Sequence, residues 1–155
     1  MRDQTTPGTI RRLAYTGTAQ NVIVWPTAFN VQEGGSSVAS IRLAQAPVSD
    51  VTVTVERISG DADLSVTNGA TLTFTPTNFA APQLVRISGA QDTDSENDTA
   101  TFRVLAPGIA SYDVFVNGID DDEAQLVVST TSLSVNEGGS NTFSVAVRDG
   151  AGVPV

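Results

Sequence analysis

Between Val22 and Ser37 the chain reads VIVWPTAFNVQEGGSS, and from Leu126 to Asn141 it reads LVVSTTSLSVNEGGSN, at a constant offset of 104 residues. Val24, Thr27, Val31, Glu33, Gly34, Gly35 and Ser36 recur unchanged in the later copy, which closes on Val135, Glu137, Gly138, Gly139 and Ser140. A period of this length is too long for a solenoid unit and suits tandem sandwich domains. The 155 residues therefore divide into a segment 1–21 ahead of the repeat, a first copy over 22–123, and the opening of a second copy over 124–155.

Within the first copy, short alternating runs are separated by turn residues, the signature of an all-β chain. The pattern predicts strands at about Val22 to Val31, with Pro26 as a break point, then Ser37 to Leu43 and Val51 to Arg57. It continues with Leu64 to Val66 running on through Thr71 to Phe74, then Gln83 to Ser88, Ala100 to Leu105 and Ser111 to Ile119. In VTVTV the valines at 51, 53 and 55 alternate with threonines, so one face is buried and the other wet. No segment of helical length shows helical periodicity. The fold class is therefore all-β: an immunoglobulin-like two-sheet antiparallel sandwich, followed by the start of a second, incomplete repeat.

Composition removes most catalytic chemistry. The chain has no Lys, His or Cys, and its eight cationic residues, all Arg, face seventeen Asp and Glu. Without His or Cys there is no Ser-His-Asp triad, no thiol nucleophile and no conventional zinc site. Without Lys there is no Schiff base and no Walker A loop. A net charge of −9 argues against binding to a phosphate backbone. The apolar residues come in short runs, none long enough for a membrane helix. Residues 1–21 carry charge but no apolar core of a signal peptide. That segment, with one expected strand at Ile10 to Tyr15, reads as a docking arm or a partly ordered leader.

The acids are not spread evenly. Residues 1–57 sum to +1, residues 58–123 to −9 and residues 124–155 to −1. The middle section concentrates them at Asp61 and Asp63, in QDTDSEND (Asp92, Asp94, Glu96, Asp98) and in IDDDE (Asp120, Asp121, Asp122, Glu123). If strands alternate up and down, the Glu33 turn, the Asp61–Asp63 link, the Asp92–Asp98 loop and the exit at Asp120 all lie at one pole. Gathering so many carboxylates costs repulsion unless a cation shares the site. Calcium, with six to eight oxygen ligands in flexible geometry, fits a loop-built cluster better than magnesium does. QDTDSEND is not an EF-hand loop, because Asn97 stands where that loop needs Gly and Arg103 where it needs Glu.

VQEGGSS, SGDADLSV followed by ATLTFTPTNFAAPQLVRI, the acidic stretch after it and the terminal IDDDE together resemble the Calx-beta domains. These include the calcium-sensing repeats of sodium-calcium exchangers and tandem bacterial relatives. The resemblance covers about residues 22–123 and the hairpin from 126 onward. It implies an immunoglobulin-like sandwich with calcium at the acidic pole. Carried over by position, Glu33, Asp63, Asp92, Asp120, Asp121 and Asp122 match acidic ligand positions, and Asp94 stands as the replacement ligand where the spacing departs from the family. Asp61 and Glu96 are further candidates. The altered spacing implies one or two Ca2+ ions rather than a cluster of four.

The expected function is a non-enzymatic structural or adhesive assembly module: a calcium-stiffened tandem sandwich of an extracellular filament, a cell surface or a virion. Two alternatives stand beside it, a carbohydrate-binding accessory domain and a regulatory calcium sensor. The expected partners are other protein subunits or neighbouring domains in an elongated assembly, with surface glycan as a further partner and neither nucleic acid nor membrane insertion. Leu133, Val135, Phe143, Val145 and Val147 supply apolar positions to the second hairpin, which is expected to make sheet contacts with another protein segment. Trp25 and the other aromatics, lying in alternating strands, are expected to be core or edge packing rather than sugar platforms.

Overall fold

The computed structural model describes residues 19–149 and Pro154, so the expected strand at Ile10 to Tyr15 and nearly all of the arm lie outside the described residues. The first copy is a two-sheet sandwich. One sheet has four strands in the order β1 (Val22–Trp25), β3 (Ser36–Leu43), β7 (Gln83–Gly89) and β5 (Leu64–Asn68). The other has five, in the order β2 (Ala28–Gln32), β9 (Ile109–Ile119), β8 (Thr99–Ala106), β4 (Val51–Gly60) and β6 (Thr71–Phe74). Every pairing among the described strands is antiparallel except that of β2 with β9, which is parallel.

Period-two alternation decides what faces inward. Val53 and Val55 on β4, Phe102 and Val104 on β8, Val114 and Val116 on β9, Ile41 and Leu43 on β3, and Val85 and Ile87 on β7 all turn into the space between the sheets. Leu64, Leu72 and Phe74 close that core, and among the described residues no polar or charged side chain is buried. The outward positions on β4 and β8 include Thr52, Thr101 and Arg103, as a half-wet antiparallel face requires.

Two expected strands are each divided between the sheets. The run 22–31 breaks at Pro26, which has no N–H for a ladder, so β1 pairs with β3 in one sheet while β2 crosses to β9 in the other. The run 64–74 breaks at Asn68-Gly69, leaving β5 against β7 and β6 against β4. Each half takes the edge strand that its own sheet offers.

The second copy repeats the first in register. Val22, Ile23 and Val24 face Leu43, Arg42 and Ile41, and their counterparts 104 residues on pair identically: Leu126, Val127 and Val128 face Val147, Ala146 and Val145. These pairs form the hairpin of β10 (Gln125–Val128) and β11 (Val145–Arg148). Gly34 and Gly138 take the same left-handed conformation, with φ of 63° and 74°. The amides of Gly35 and Gly139 donate to the carbonyls of Gln32 and Asn136, both at 2.9 Å. Such a turn favours glycine because a Cβ crowds the backbone at positive φ.

Candidate metal centre

The pole of the sandwich is built by backbone ties between four loops. The Glu33 amide donates to the Ile119 carbonyl at 3.0 Å, which fastens the β2–β3 turn to the end of β9. The Asp61 amide donates to Thr99 O at 2.9 Å and the Ala90 amide to Asp63 O at 3.0 Å, joining the β4–β5 link to both ends of the β7–β8 loop. The Gly118 amide donates to Asp98 O at 2.9 Å. A Cβ at Gly118 would stand 2.9 Å from Asp98 Cβ, so this glycine lets the loop lie close over β9.

The four acidic elements meet at this pole as the up-and-down reading expected, but they sort into two groups. Glu33, Asp92 and Asp122 each bring one carboxylate oxygen to within 4.8 Å of the others, and Asp61, Asp63 and Asp98 do the same. Asp63 thus sits with Asp61 and Asp98 rather than with Glu33. Asp94 belongs to neither triad; its amide donates to Asp92 Oδ1 at 3.0 Å and its own Oδ1 accepts from the Glu96 amide at 2.8 Å. Asp120 accepts from the Asp122 amide at 3.3 Å, and Asp121 accepts from Gln91 Nε2 at 3.1 Å. Both border the first triad.

Three residues at the pole were not among the expected ligands. Gln91 Nε2 donates to Glu33 at 3.2 Å as well as to Asp121, so one neutral amide spans two carboxylates. Asn97 Oδ1 accepts from the Asp120 amide at 2.9 Å. Asp98 completes the second triad. Their nearness to Asp92 and Asp94 in sequence was the available signal, but the loop conformation decides which of them point inward.

Electrostatics at the pole are unfavourable for a bare cluster. The Asp92 amide donates to Glu33, which favours the carboxylate, yet desolvation and the charges of Asp92 and Asp120 outweigh it and raise the Glu33 pKa. Asp98 is raised first by desolvation, then by Asp61, Asp63, Asp92 and Asp94. Asp122 is raised first by desolvation, then by Asp120, Asp121, Asp92 and by Asp149 just beyond β11. Its Oδ2 is buried and has no hydrogen-bond partner among the described residues.

The donor set fits a hard divalent cation. Oxygens on one calcium ion, at about 2.3 to 2.6 Å from it, lie within about 5 Å of one another, and both triads meet that spacing. The buried Asp122 Oδ2, without a hydrogen-bond partner among the described residues, has lone pairs free to serve as a ligand for such a cation. Glu33, Asp92 and Asp122 would hold one ion, with Asp120 and Asp121 alongside; Asp61, Asp63 and Asp98 would hold a second.

No family model matches the chain, and no curated protein matches it. Among solved structures, the chain is similar to one from work titled "Chaperone-tip adhesin complex is vital for synergistic activation of CFA/I fimbriae biogenesis". The TM-score is 0.51 at 10% sequence identity, over 83% of this chain and 68% of that one. At that identity the likeness is one of fold.

Proposed function

We propose that the chain is a non-enzymatic assembly module, a Calx-beta-like sandwich whose acidic pole takes calcium and thereby stiffens the junction to a second copy. One observation carries this reading. Asp122, three residues before β10, places a buried oxygen, without a hydrogen-bond partner among the described residues, beside Glu33 and Asp92 of the first sandwich, so the metal-ready cluster and the interdomain linker are the same piece of chain. A ligand that binds the linker and the sandwich together restricts the linker, and rigid modules in series make an extended structure. The absence of Lys, His and Cys supports a non-catalytic role. The sandwich likeness to a chain from a fimbrial chaperone–adhesin study is compatible with an extracellular or surface setting.

The second hairpin supports the assembly reading. Leu126, Leu133, Val135, Phe143, Val145 and Val147 are all exposed, and β10 and β11 pair with no described strand but each other. An isolated two-stranded hairpin is marginal in water, so this apolar surface calls for a facing sheet from another protein segment. The test is backbone relaxation by NMR across Asp120 to Glu123. Calcium is expected to bring these amides to the rigidity of β8 and β9 on the picosecond to nanosecond timescale. Order parameters that are unchanged between calcium and chelator would overturn the stiffening role.

A further inference from the structure

Trp25 stands 74% exposed, against the expectation that it packs in the core or at an edge. The strand pattern explains why: Val22 and Val24 point inward, so Ile23 and Trp25 must point outward from β1. Trp25 faces Ser40 on β3, and Ser40 faces Leu84 on β7, so one row crosses the outer face of the four-stranded sheet. Leu84 is 56% exposed. The next row on one side carries Arg42, opposite Ile23, and the next row on the other carries Arg86, opposite Val38.

Charge singles out this face. On the sandwich, Arg103 is paired with Asp113 and Arg57 donates to the Gly60 carbonyl. Arg42 and Arg86 form no ion pair with a described residue, Arg86 donating only to Ser36 Oγ at 2.7 Å. No acid lies on the strand positions of this face, although the molecule as a whole carries −9. Arg42 sits six residues along β3 from Ser36, the end nearest Glu33, or about 20 Å at about 3.4 Å per residue. That exceeds the screening length of about 8 Å at physiological salt, so the acidic pole does not cancel its charge.

We propose that this face binds an acidic polysaccharide, with Trp25 as the stacking platform and Arg42 and Arg86 holding the carboxylates or sulfates of sugars on either side of it. An exposed indole offers a flat, apolar surface to the C–H face of a sugar ring. Guanidinium groups take carboxylate or sulfate oxygens in bidentate fashion. By strand spacing, the two arginine Cα atoms stand about 14 Å apart, two rows and one strand, with Trp25 in the row between them. Beside the apolar Ile23, Val38 and Leu84, the outward positions are hydroxyls, Ser36, Ser40, Ser65, Thr67 and Ser88, and that mixture suits a hydrated glycan better than the dry core of a protein interface. Arg86, whose guanidinium reaches Ser36, lies at the end of the face nearer the calcium pole, whereas Trp25 and Arg42 stand away from it, so their binding can be tested apart from the metal.

Trp25 is the only tryptophan of the chain, so its emission reads the site directly. The full chain, kept in chelator so that calcium cannot gel the glycan, is titrated with polygalacturonate, with heparin, with neutral dextran and with poly-glutamate. A saturable change in emission is expected with polygalacturonate or heparin, the stronger of the two identifying carboxylate or sulfate as the sugar anion. Trp25→Ala should weaken binding, measured by calorimetry, by about tenfold or more, and Arg42→Gln and Arg86→Gln should each weaken it while their melting temperatures stay unchanged. Equal binding of dextran would remove the arginines from the site, and equal binding of poly-glutamate would make the partner an acidic protein. Unchanged emission with every glycan, affinity retained in Trp25→Ala, or a self-associated chain dispersed by Trp25→Ala would each overturn the proposal.

Discussion

Glu33, Asp98 and Asp122 are each raised from their ordinary values by desolvation and by neighbouring carboxylates, Asp92 acting on all three, and that sets a sign for the pH dependence of stability. A carboxyl group raised in the folded state binds protons there that the unfolded chain releases, so the folded protein gains stability as pH falls through the raised values. The gain is complete below the unfolded values. Asp113 works the other way, lowered by its hydrogen bonds with Arg103 at 2.7 and 2.8 Å, and its contribution is lost further down, as pH falls from the ordinary Asp value through the lowered one. In chelator, melting temperature should therefore rise on mild acidification from neutral pH, and the advantage conferred by calcium should shrink over the same window, because protons and the cation compete for the same oxygens. Asp122→Asn should melt higher than the parent in chelator and bind calcium about tenfold or more weakly, a lost ligand costing at least as much as a lost supporting contact. An Asp122→Asn chain with parental calcium affinity would remove that residue from the site. The residue types of this cluster were legible in the sequence because Asp and Glu crowd into three short loops. Its partition into two triads was not, since it depends on Asx turns such as that from Asp94 N to Asp92 Oδ1 and on the close approach permitted by Gly118.

Strand existence was legible at nearly every position, because alternation such as Val51, Val53 and Val55 survives in a half-buried strand whatever its neighbours. What alternation cannot encode is the partner. β2 is a strand because Ala28 to Gln32 lie beside Phe115 to Ile119, and the equivalent residues 132–136 form none, having no such neighbour among the described residues. Local register, by contrast, is carried by the sequence itself, which is why β10 and β11 repeat the pairing of β1 and β3 residue for residue. Exposure of Trp25 follows from that same alternation. The central element is β8, flanked by β9 and β4, and its Phe102 is fully buried. Phe102→Ala should cost about 3 to 5 kcal/mol in urea unfolding, since the cavity lies between two sheets that cannot both collapse into it. A loss below about 1 kcal/mol would mean that the sheets repack and that the core is less rigid than β8 implies.

Across the whole molecule, the proposed function requires that calcium complete the acidic pole and, in doing so, tie the first sandwich to the second copy. The charge-dense region of a −9 chain lies in the segment that ends just before β10, and the apolar residues of β10 and β11 are exposed. On the proposed function these features serve assembly in series, with the Trp25 face exposed on the outer side of the four-stranded sheet. Any ligand bound only by the folded state must raise its stability, by about 2.7 kcal/mol at a hundredfold excess over the dissociation constant. For a sandwich near a hundred residues this corresponds to a melting shift on the order of 10 °C or more. Thermal unfolding of the full chain at neutral pH, in saturating calcium and in chelator, tests the claim most directly. Two curves separated by about that shift are expected, with magnesium giving much less; coincident curves in calcium and chelator would show that the pole does not take calcium.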